Sequence, residues 1–356
     1  KVEAIIAAMK EKMDGLDPPP VGVGDREALT AQHTSCPLPQ QFLASIGTRA
    51  CGWIRVKPRK GALDGGARFA NTDCECAARV SDIEALEEIS ASAPLLIASF
   101  DIECMSGNGD FPLPARPLDK VIQIGVSYSK LGVAGIHRRV VLCLGETSRD
   151  VKVRDPSGRD GGASIEILVF ERESELLAGF STLLRESDPD IVCGYNVLDF
   201  DWYYICARVA LFEALRPSVN AAQLMREARR IAGDYKYFKA RHDNEDLPER
   251  ARMSALERVC DMLGERFWEG CRFPPMPLRT SLLAKMTPED AEYFANQEPP
   301  EFAYCGRLQS EAHHLQIQNL QSAAMGDNVL RRFDMLGRCS LDLFLHIKNM
   351  VRTRTR

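Results

Sequence analysis

The feature that most constrains the fold is a series of apolar runs between residues 94 and 215. Short runs rich in β-branched residues predict strands, and longer runs with leucine at every third or fourth position predict helices. The sequence then predicts three strands, a helix, a strand and a helix, in the order "LLIASFDIE", "VIQIGVSYS", "RRVVLCLG", "ERESELLAGFSTLLRES", "DIVCGYN" and "DWYYICARVALFEAL". This order is typical of an α/β domain in which helices cover a mixed sheet.

The remaining segments predict less regular structure around this domain. Residues 1–93 are the least regular part of the chain and contain a linker rich in Pro and Gly, "DGLDPPPVGVGD", and a candidate strand within "FLASIGTRACGWIRV". A resemblance described below implies that they are a partial N-terminal domain. The second domain then spans 94–356. Within it, 236–315 is charged, predicts a helix start at Thr287-Pro288-Glu289 and contains no hydrophobic strand, which indicates an insertion. The run "VLRRFDMLGRCSLDLFLHIKN" that follows predicts one more strand and the start of a helix.

Composition limits the classes of function. The 356 residues are 45% hydrophobic and 27% charged, which is ordinary for a globular protein of two domains. A net charge of -5 excludes a strongly basic overall field, so any contact with nucleic acid must be local. The twelve cysteines form no C-x-x-C pair, which predicts reduced thiols and no zinc site. No run of 18 apolar residues predicts a membrane span.

Two acidic residues stand at the end of the first predicted strand of the α/β domain. Asp101 and Glu103 in "SFDIEC" follow a buried run and lie two residues apart. Side chains at positions i and i+2 of a strand point to the same face, so the two carboxylates are predicted to lie side by side. Because like charges repel at that distance, either a cation lies between them or one carboxyl group keeps its proton.

A third carboxylate is predicted to join them. In "GYNVLDFDWYYI" the strand ends near Gly194 and the next helix opens at Asp201. Strand ends and neighbouring helix starts meet in one crevice of such a sheet. Three carboxylates at one point need hard cations, and oxygen ligands select Mg²⁺ or Mn²⁺. Two such ions about 4 Å apart would stabilise the attacking and leaving oxygens of a phosphoryl displacement.

Each of these residues also has a simpler interpretation. Asp101 and Glu103 can be an exposed pair at a strand end, Asp201 can be a helix N-cap, and Asp199 a turn residue or a competing cap. Tyr203 and Tyr204 are expected to have packing rather than catalytic roles. The six histidines have no convergent partners in the sequence and predict no site. Spacing alone does not decide between these interpretations.

Longer segments resemble the exonuclease motifs of family B DNA polymerases. The segment "ASFDIECMSGNGDFPLPARPLDKVIQIGVSYS" resembles the first motif, and "DPDIVCGYNVLDFDWYYICARVA" resembles the second. The segment "SAAMGDNVLRRFDMLGRCSLDLFLHIKN" is similar to the stretch that precedes the third motif. The resemblance runs from about Pro94 to Asn349, without the insertion, and is closest to the branch of DNA polymerase delta and large-virus polymerases.

The resemblance implies a ribonuclease-H-like 3′-to-5′ exonuclease domain with a two-metal site. Asp101, Glu103 and Asp201 would be the catalytic carboxylates and the ligands of two Mg²⁺ or Mn²⁺ ions. Asn196 and Phe200 would hold and stack on the 3′-terminal nucleotide.

Tyr195 belongs to the same DNA-contacting motif. The implied reaction is proofreading, the hydrolysis of a mispaired nucleotide from a single-stranded primer 3′ end. The implied setting is a replicative polymerase with accessory subunits, in the nucleus or at a viral replication site, with no membrane partner.

The sequence also departs from the family pattern. The third motif, Tyr-x-x-x-Asp, supplies a fourth carboxylate, yet only Tyr195 of the eight tyrosines has an aspartate four residues on, and that pair lies inside the second motif. The polymerase signatures are missing as well. We therefore expect a fragment that stops one helix short of a complete exonuclease site. The alternatives are a non-catalytic remnant of this fold that binds DNA or partner subunits, and, less favoured, a free-standing exonuclease.

Overall fold

The computed structural model of the protein describes most of the chain from residue 38 onward. The described residues are 38–48, 51–59, 70, 72, 74–148, 165–216, six residues between 222 and 230, 282–302, 305–308, 315–322, 326–333 and 335–354. The linker predicted near residue 20 and most of the predicted insertion, up to residue 281, lie outside them. The chain divides into two compact units, one of residues 1–65 and 76–91 and the other of residues 66–75 and 92–356.

The first unit contains short elements. Helix α1 spans Leu38–Ile46, and strands β1 (Ile54–Val56) and β2 (Ile83–Ala85) form an antiparallel pair. The segment predicted to hold a strand therefore divides into the end of a helix and a three-residue strand. The Trp53 indole N–H donates to the carbonyl of Ala91 at 2.6 Å, which ties the entry of β1 to the end of the unit.

A six-stranded mixed sheet forms the centre of the second unit, which confirms the predicted α/β class. Its strands are β3 (Leu96–Cys104), β4 (Val121–Lys130), β5 (Arg138–Leu144), β6 (Ile165–Phe170), β7 (Ile191–Gly194) and β10 (Cys339–Asp342). Their spatial order is β10-β7-β3-β4-β5-β6. Strands β3, β4 and β5 are antiparallel neighbours, whereas the pairs β5·β6, β3·β7 and β7·β10 are parallel.

Two helices cover the buried face of this sheet. They are α2 (Glu173–Ser187) and α3 (Asp201–Ala214), both within two residues of the predicted bounds. Along β3 the residues with even numbers from Ala98 to Ile102 are buried. Phe100 packs against Phe180 of α2 and Trp202 of α3, with ring centroids 5.3 Å and 4.8 Å away. Twelve of the fourteen residues of α3 are buried, so this helix lies inside the domain rather than on its surface.

A buried ion pair joins the two helices. The guanidinium of Arg208 on α3 bonds to the carboxylate of Glu173 on α2, and both side chains are fully buried. The same guanidinium donates to the carbonyls of Pro114 and Arg116 at 2.8 Å and 2.9 Å, in the loop that follows β3. Burial lowers the pKa of Arg208, but the Glu173 carboxylate together with Tyr293 and Tyr204 raises that pKa overall. The pair therefore fixes the loop after β3 to both helices.

The remaining elements differ in part from the sequence prediction. The run "IEILVF" forms strand β6, and a hairpin of β8 (Leu315–Ser322) and β9 (Gly326–Phe333) precedes β10. Neither β6 nor β8 was predicted as a strand. Helix α4 (Pro288–Ala295) begins where expected, with a reciprocal capping box between Thr287 and Asp290. Helix α5 (Leu343–Arg354) follows β10 directly. Among the described helices, none has the length and apolar character needed to cross a membrane.

Candidate active site

The first two acidic residues lie on the outward face of β3, as the strand period predicts. Asp101 and Glu103 are exposed, while Phe100 and Ile102 between and beside them are buried. Strand β7 runs parallel to β3 and ends at Gly194, where a Cβ atom would come within 2.6 Å of the Phe100 carbonyl oxygen. A residue without a side chain is therefore needed at 194, because the chain leaves the sheet in close contact with β3.

The third acidic residue reaches β3 from the start of α3. Asp201 is 2% exposed, and its carboxylate accepts the backbone N–H of Ile102 at 3.1 Å. Phe200 occupies the cap position of α3 and makes no side-chain cap bond, so Asp201 is not the N-cap of the helix. The carboxylate instead lies against the backbone between Asp101 and Glu103. The structure thus brings Asp201 to the strand end that the sequence predicted.

The electrostatic state of Asp201 reflects its surroundings. Burial, and next the charge of Asp101, raise the pKa of Asp201 to about 7, although the Ile102 N–H acts in the opposite direction. Within the described part of the chain, Asp101, Glu103 and Asp201 form no ion pair with any Lys or Arg. Negative charge therefore collects at the end of β3 without an ion-paired cation among the described residues to balance it.

The raised pKa of Asp201 predicts how the folding stability of the metal-free protein depends on pH. The folded state holds the Asp201 proton more tightly than the unfolded chain, whose aspartate pKa is near 3.8, so folding stability falls as the pH rises. The fall is at most about 1.4 kcal/mol per pH unit between about pH 4 and pH 7, and it stops above that range. Asp201→Asn keeps an oxygen for the Ile102 N–H and loses the charge, so it should be more stable than the unmodified protein at pH 8.

Urea unfolding in EDTA between pH 5 and pH 8 measures this difference. Asp110→Asn is the matched control, because Asp110 is an exposed carboxylate in the loop after β3. The control should keep the pH dependence of the unmodified protein. An equal pH dependence in Asp201→Asn and in Asp110→Asn would contradict the assignment of the pH dependence to Asp201.

The predicted nucleotide-contacting residues lie in one loop beside these carboxylates. Tyr195 is 57% exposed, Asn196 has a left-handed backbone with φ of 64°, and Phe200 is half-buried. The Phe200 ring lies 5.5 Å from the ring of Phe111, which is 70% exposed. Sequence reasoning did not single out Phe111, whose only signal is an aromatic residue in a polar loop. The loop therefore presents an amide and aromatic rings next to the acidic strand end.

The neighbouring tyrosines have the packing roles expected of them. Tyr204 is buried and donates its hydroxyl to the carbonyl of Asp119 at 2.7 Å. Tyr203 lies under the guanidinium of Arg331 at 5.0 Å, and Arg331 also bonds to Asp199. Asp199 is therefore held by the β8–β9 hairpin, whose strand β9 carries Arg331. The Tyr204 hydroxyl is engaged by a backbone carbonyl and does not contact the carboxylates.

Sequence reasoning also missed Asp342, at the end of β10. It is 8% exposed and accepts the backbone N–H groups of Asn196 and Leu198, each at 3.0 Å. Its charge adds to that of Asp101 in raising the pKa of Asp201. The only sequence signal is an aspartate between a short apolar run and a helix.

The carboxylates of Asp101, Glu103 and Asp201 have the chemistry of a hard-cation site, but they are not arranged as a complete one. Carboxylate oxygens without a protein counter-charge suit Mg²⁺ or Mn²⁺. In the described ranges, however, no three His, Cys, Asp or Glu side chains are grouped so that they could hold a metal ion as they stand. The charge of Asp101 acts on Asp201, and the exposed Glu103 lies on the same face of β3 as Asp101.

Comparison with known proteins agrees with this arrangement. The family model for the exonuclease domain of DNA polymerase family B matches residues 34–246, more than half of the 356 residues. The DNA polymerase delta catalytic subunit of Schizosaccharomyces pombe is 29% identical over 192 residues, which are 53% of this chain and 16% of that protein. The DNA polymerase catalytic subunit of Epstein-Barr virus (strain B95-8) is 30% identical over 168 residues, 47% of this chain and 15% of the viral protein.

A third relative is the DNA polymerase of Acanthamoeba polyphaga mimivirus, 28% identical over 169 residues, which are 48% of this chain and 9% of that polymerase. The chain thus spans only 9–16% of the length of these three relatives. The mixed sheet with its covering helices is consistent with the ribonuclease-H-like domain that the motifs predicted. The family match, the order of the two motifs and the sheet agree, and the chain belongs to the family of DNA polymerase family B exonuclease domains.

Proposed function

We propose that this chain is the proofreading module of a replicative DNA polymerase and that it hydrolyses the 3′-terminal nucleotide of a primer strand. The observation that carries the proposal is the placement of Asp201 against the backbone between Asp101 and Glu103, without an ion-paired cation among the described residues. A carboxylate whose pKa is raised by burial and by a neighbouring carboxylate, at an exposed strand end, is a feature of sites that bind cations or move protons. The nucleotide-contacting loop beside it supplies the substrate surface.

In this proposal Asp101, Glu103 and Asp201 hold two Mg²⁺ or Mn²⁺ ions. Bound ions would supply charge stabilisation for the attacking and leaving oxygens of the phosphodiester. Asp101 and Glu103 are exposed and can meet a phosphate from solvent, whereas the buried Asp201 is fixed to β3 through Ile102. In this proposal the ligands from β3, Asp101 and Glu103, can change side-chain conformation, whereas the ligand from α3, Asp201, is held in place.

Asn196, Phe200 and Tyr195 bind the terminal nucleotide in this proposal. The amide of Asn196 can bond to a sugar or base edge, and the accessible faces of Phe200 and Tyr195 can stack with a base. A frayed, mismatched end costs less to unpair than a matched end, so the site favours single strands. The parent chain would supply the polymerase activity and contact accessory subunits, in the nucleus or at a viral replication site.

A nuclease assay tests the proposal. The 356-residue chain is incubated with a 3′-labelled single strand, a mispaired duplex or a matched duplex, in Mg²⁺, Mn²⁺ or EDTA. We expect metal-dependent release of 3′ nucleotides that is fastest on the single strand and slowest on the matched duplex.

Binding of the single strand without hydrolysis in either metal would favour the non-catalytic alternative. That alternative is supported by the lack of a ready-made group of three metal ligands in the described ranges. Release that is equally fast from the single strand and the matched duplex would contradict the proofreading role.

A further inference from the structure

A buried carboxylate bonds to the backbone at the start of the loop that carries the proposed nucleotide-binding residues. Asp342 ends β10, which lies parallel to β7 with Asp342 opposite Gly194. Its Oδ1 accepts the N–H of Asn196 and its Oδ2 accepts the N–H of Leu198, both at 3.0 Å. These are the backbone groups of the first turn after β7, where the chain has left the sheet and has no ladder partner.

The same carboxylate also fixes the element that follows it. Oδ1 of Asp342 accepts the N–H of Phe344 at 2.9 Å, in the first turn of α5. The Phe344 ring in turn lies in edge contact with the Tyr195 ring, with centroids 5.4 Å apart. One side chain therefore connects two backbone segments, and an aromatic contact connects them a second time at the exposed surface.

The backbone conformation of Asn196 is one that these bonds help to hold. Its φ of 64° is left-handed, which is uncommon outside glycine, although asparagine adopts it more readily than most residues. A buried carboxylate forms strong bonds to N–H groups, so Asp342 can hold this turn. The turn determines where the Asn196 amide points, and Asn196 and Phe200 lie only four residues apart.

We propose that Asp342 is a positioning residue for recognition of the 3′-terminal nucleotide. It does not touch the DNA, because its carboxylate is buried and bonded to three backbone N–H groups. It acts through Asn196 and the turn that leads to Phe200. The proposal rests on the proposed function, since it assigns to Asp342 the geometry of that nucleotide site.

The test compares Asp342→Asn with a matched variant, Asp190→Asn. The side chain introduced by Asp342→Asn retains one acceptor oxygen and presents an amide donor to an N–H group that needs an acceptor. Asp190 immediately precedes β7, at the opposite end of the strand from Gly194. It accepts the N–H of Leu96 at 2.8 Å and bonds to Arg307. Both substitutions remove a carboxylate that bonds to backbone next to the same strand, but only Asp342 holds the nucleotide-binding turn.

The measurement is the affinity of the full chain for two single strands in Ca²⁺, one with a normal 3′-terminal base and one with an abasic 3′ end. Stacking of one base predicts that the unmodified protein binds the normal end about tenfold more tightly. Asp342→Asn should lose this preference, and Asp190→Asn should keep it. A preference retained in Asp342→Asn, or lost equally in both variants, would overturn the proposal.

Amide hydrogen exchange separates this outcome from failure of the proposed function. If the unmodified protein shows no preference for the normal end, the nucleotide site itself is wrong and the proposed function fails. Exchange at Asn196 and Leu198 then decides the structural part of the inference. Exchange that is faster in Asp342→Asn than in Asp190→Asn supports control of the turn by Asp342, and equal exchange overturns it.

Discussion

Asp101→Ala is expected to lower the rate of metal-dependent 3′ excision by at least about 10³-fold, because a bound cation contributes several kcal/mol of charge stabilisation. Asp101 is an exposed carboxylate whose charge raises the pKa of buried Asp201, so its removal takes away one proposed metal ligand and the charge that acts on Asp201. The same substitution should not destabilise the metal-free protein. Without the charge of Asp101, the remaining pKa shift of Asp201 should be smaller.

Excision and stability must therefore be measured on the same preparation. Release of the labelled 3′ nucleotide in Mg²⁺ gives the rate, and urea unfolding in EDTA at pH 8 gives the stability. Asp110→Ala is the control, since it removes an exposed carboxylate from the loop after β3 and should leave the rate within about twofold. A rate for Asp101→Ala close to that of Asp110→Ala would contradict the assignment of Asp101 as a ligand.

Arg208→Met is expected to have the largest effect on folding. The substitution leaves Glu173 as a buried charge without its cation and removes the bonds to the carbonyls of Pro114 and Arg116. Breaking a buried pair from one side typically costs about 3–5 kcal/mol of unfolding free energy. Glu173 would keep only the Val121 N–H and the Tyr293 hydroxyl, each at 3.0 Å, among the bonds of the described residues.

Urea unfolding of two further variants shows whether burial is the cause. Arg138→Met breaks an exposed pair with Glu166, whose two side chains are 43% and 45% exposed, and should cost less than about 1 kcal/mol. The double variant Arg208→Met/Glu173→Gln removes the uncompensated charge and should recover part of the loss. Equal losses for Arg208→Met and Arg138→Met would show that the Arg208 pair contributes no more than a surface pair.

The sequence predicted those parts of the fold that local periodicity determines. Alternation along "LLIASFDIE" placed Asp101 and Glu103 on one outward face, and leucine spacing located α2 within two residues. The arrival of Asp201 at the same place followed from a general property of such sheets, that strand ends and helix starts meet. Tertiary contact then decided its role, because the carboxylate bonds to Ile102 instead of capping its own helix.

Other features depend on pairings that one sequence does not reveal. The run "IEILVF" is too short to separate from a loop until β5 lies beside it as a parallel partner. Strand β8 has polar residues at alternate positions and pairs with β9 in a hairpin. It therefore lacks the continuous apolar run that predicts a strand from sequence. The role of Asp342 depends on the register that sets it opposite Gly194, a residue far from it along the chain.

The nearly complete burial of α3 fixes the position of Asp201 at the candidate site. Asp201 begins a helix whose side chains fill the interior, and its own carboxylate is 2% exposed and bonded to the Ile102 N–H. The residues that would meet a base lie in the turn just before this helix, where Tyr195 faces solvent while Val197 and Leu198 are buried. If the chain excises nucleotides as proposed, the acid and the turn that meets the base would therefore both be fixed from the interior of the domain.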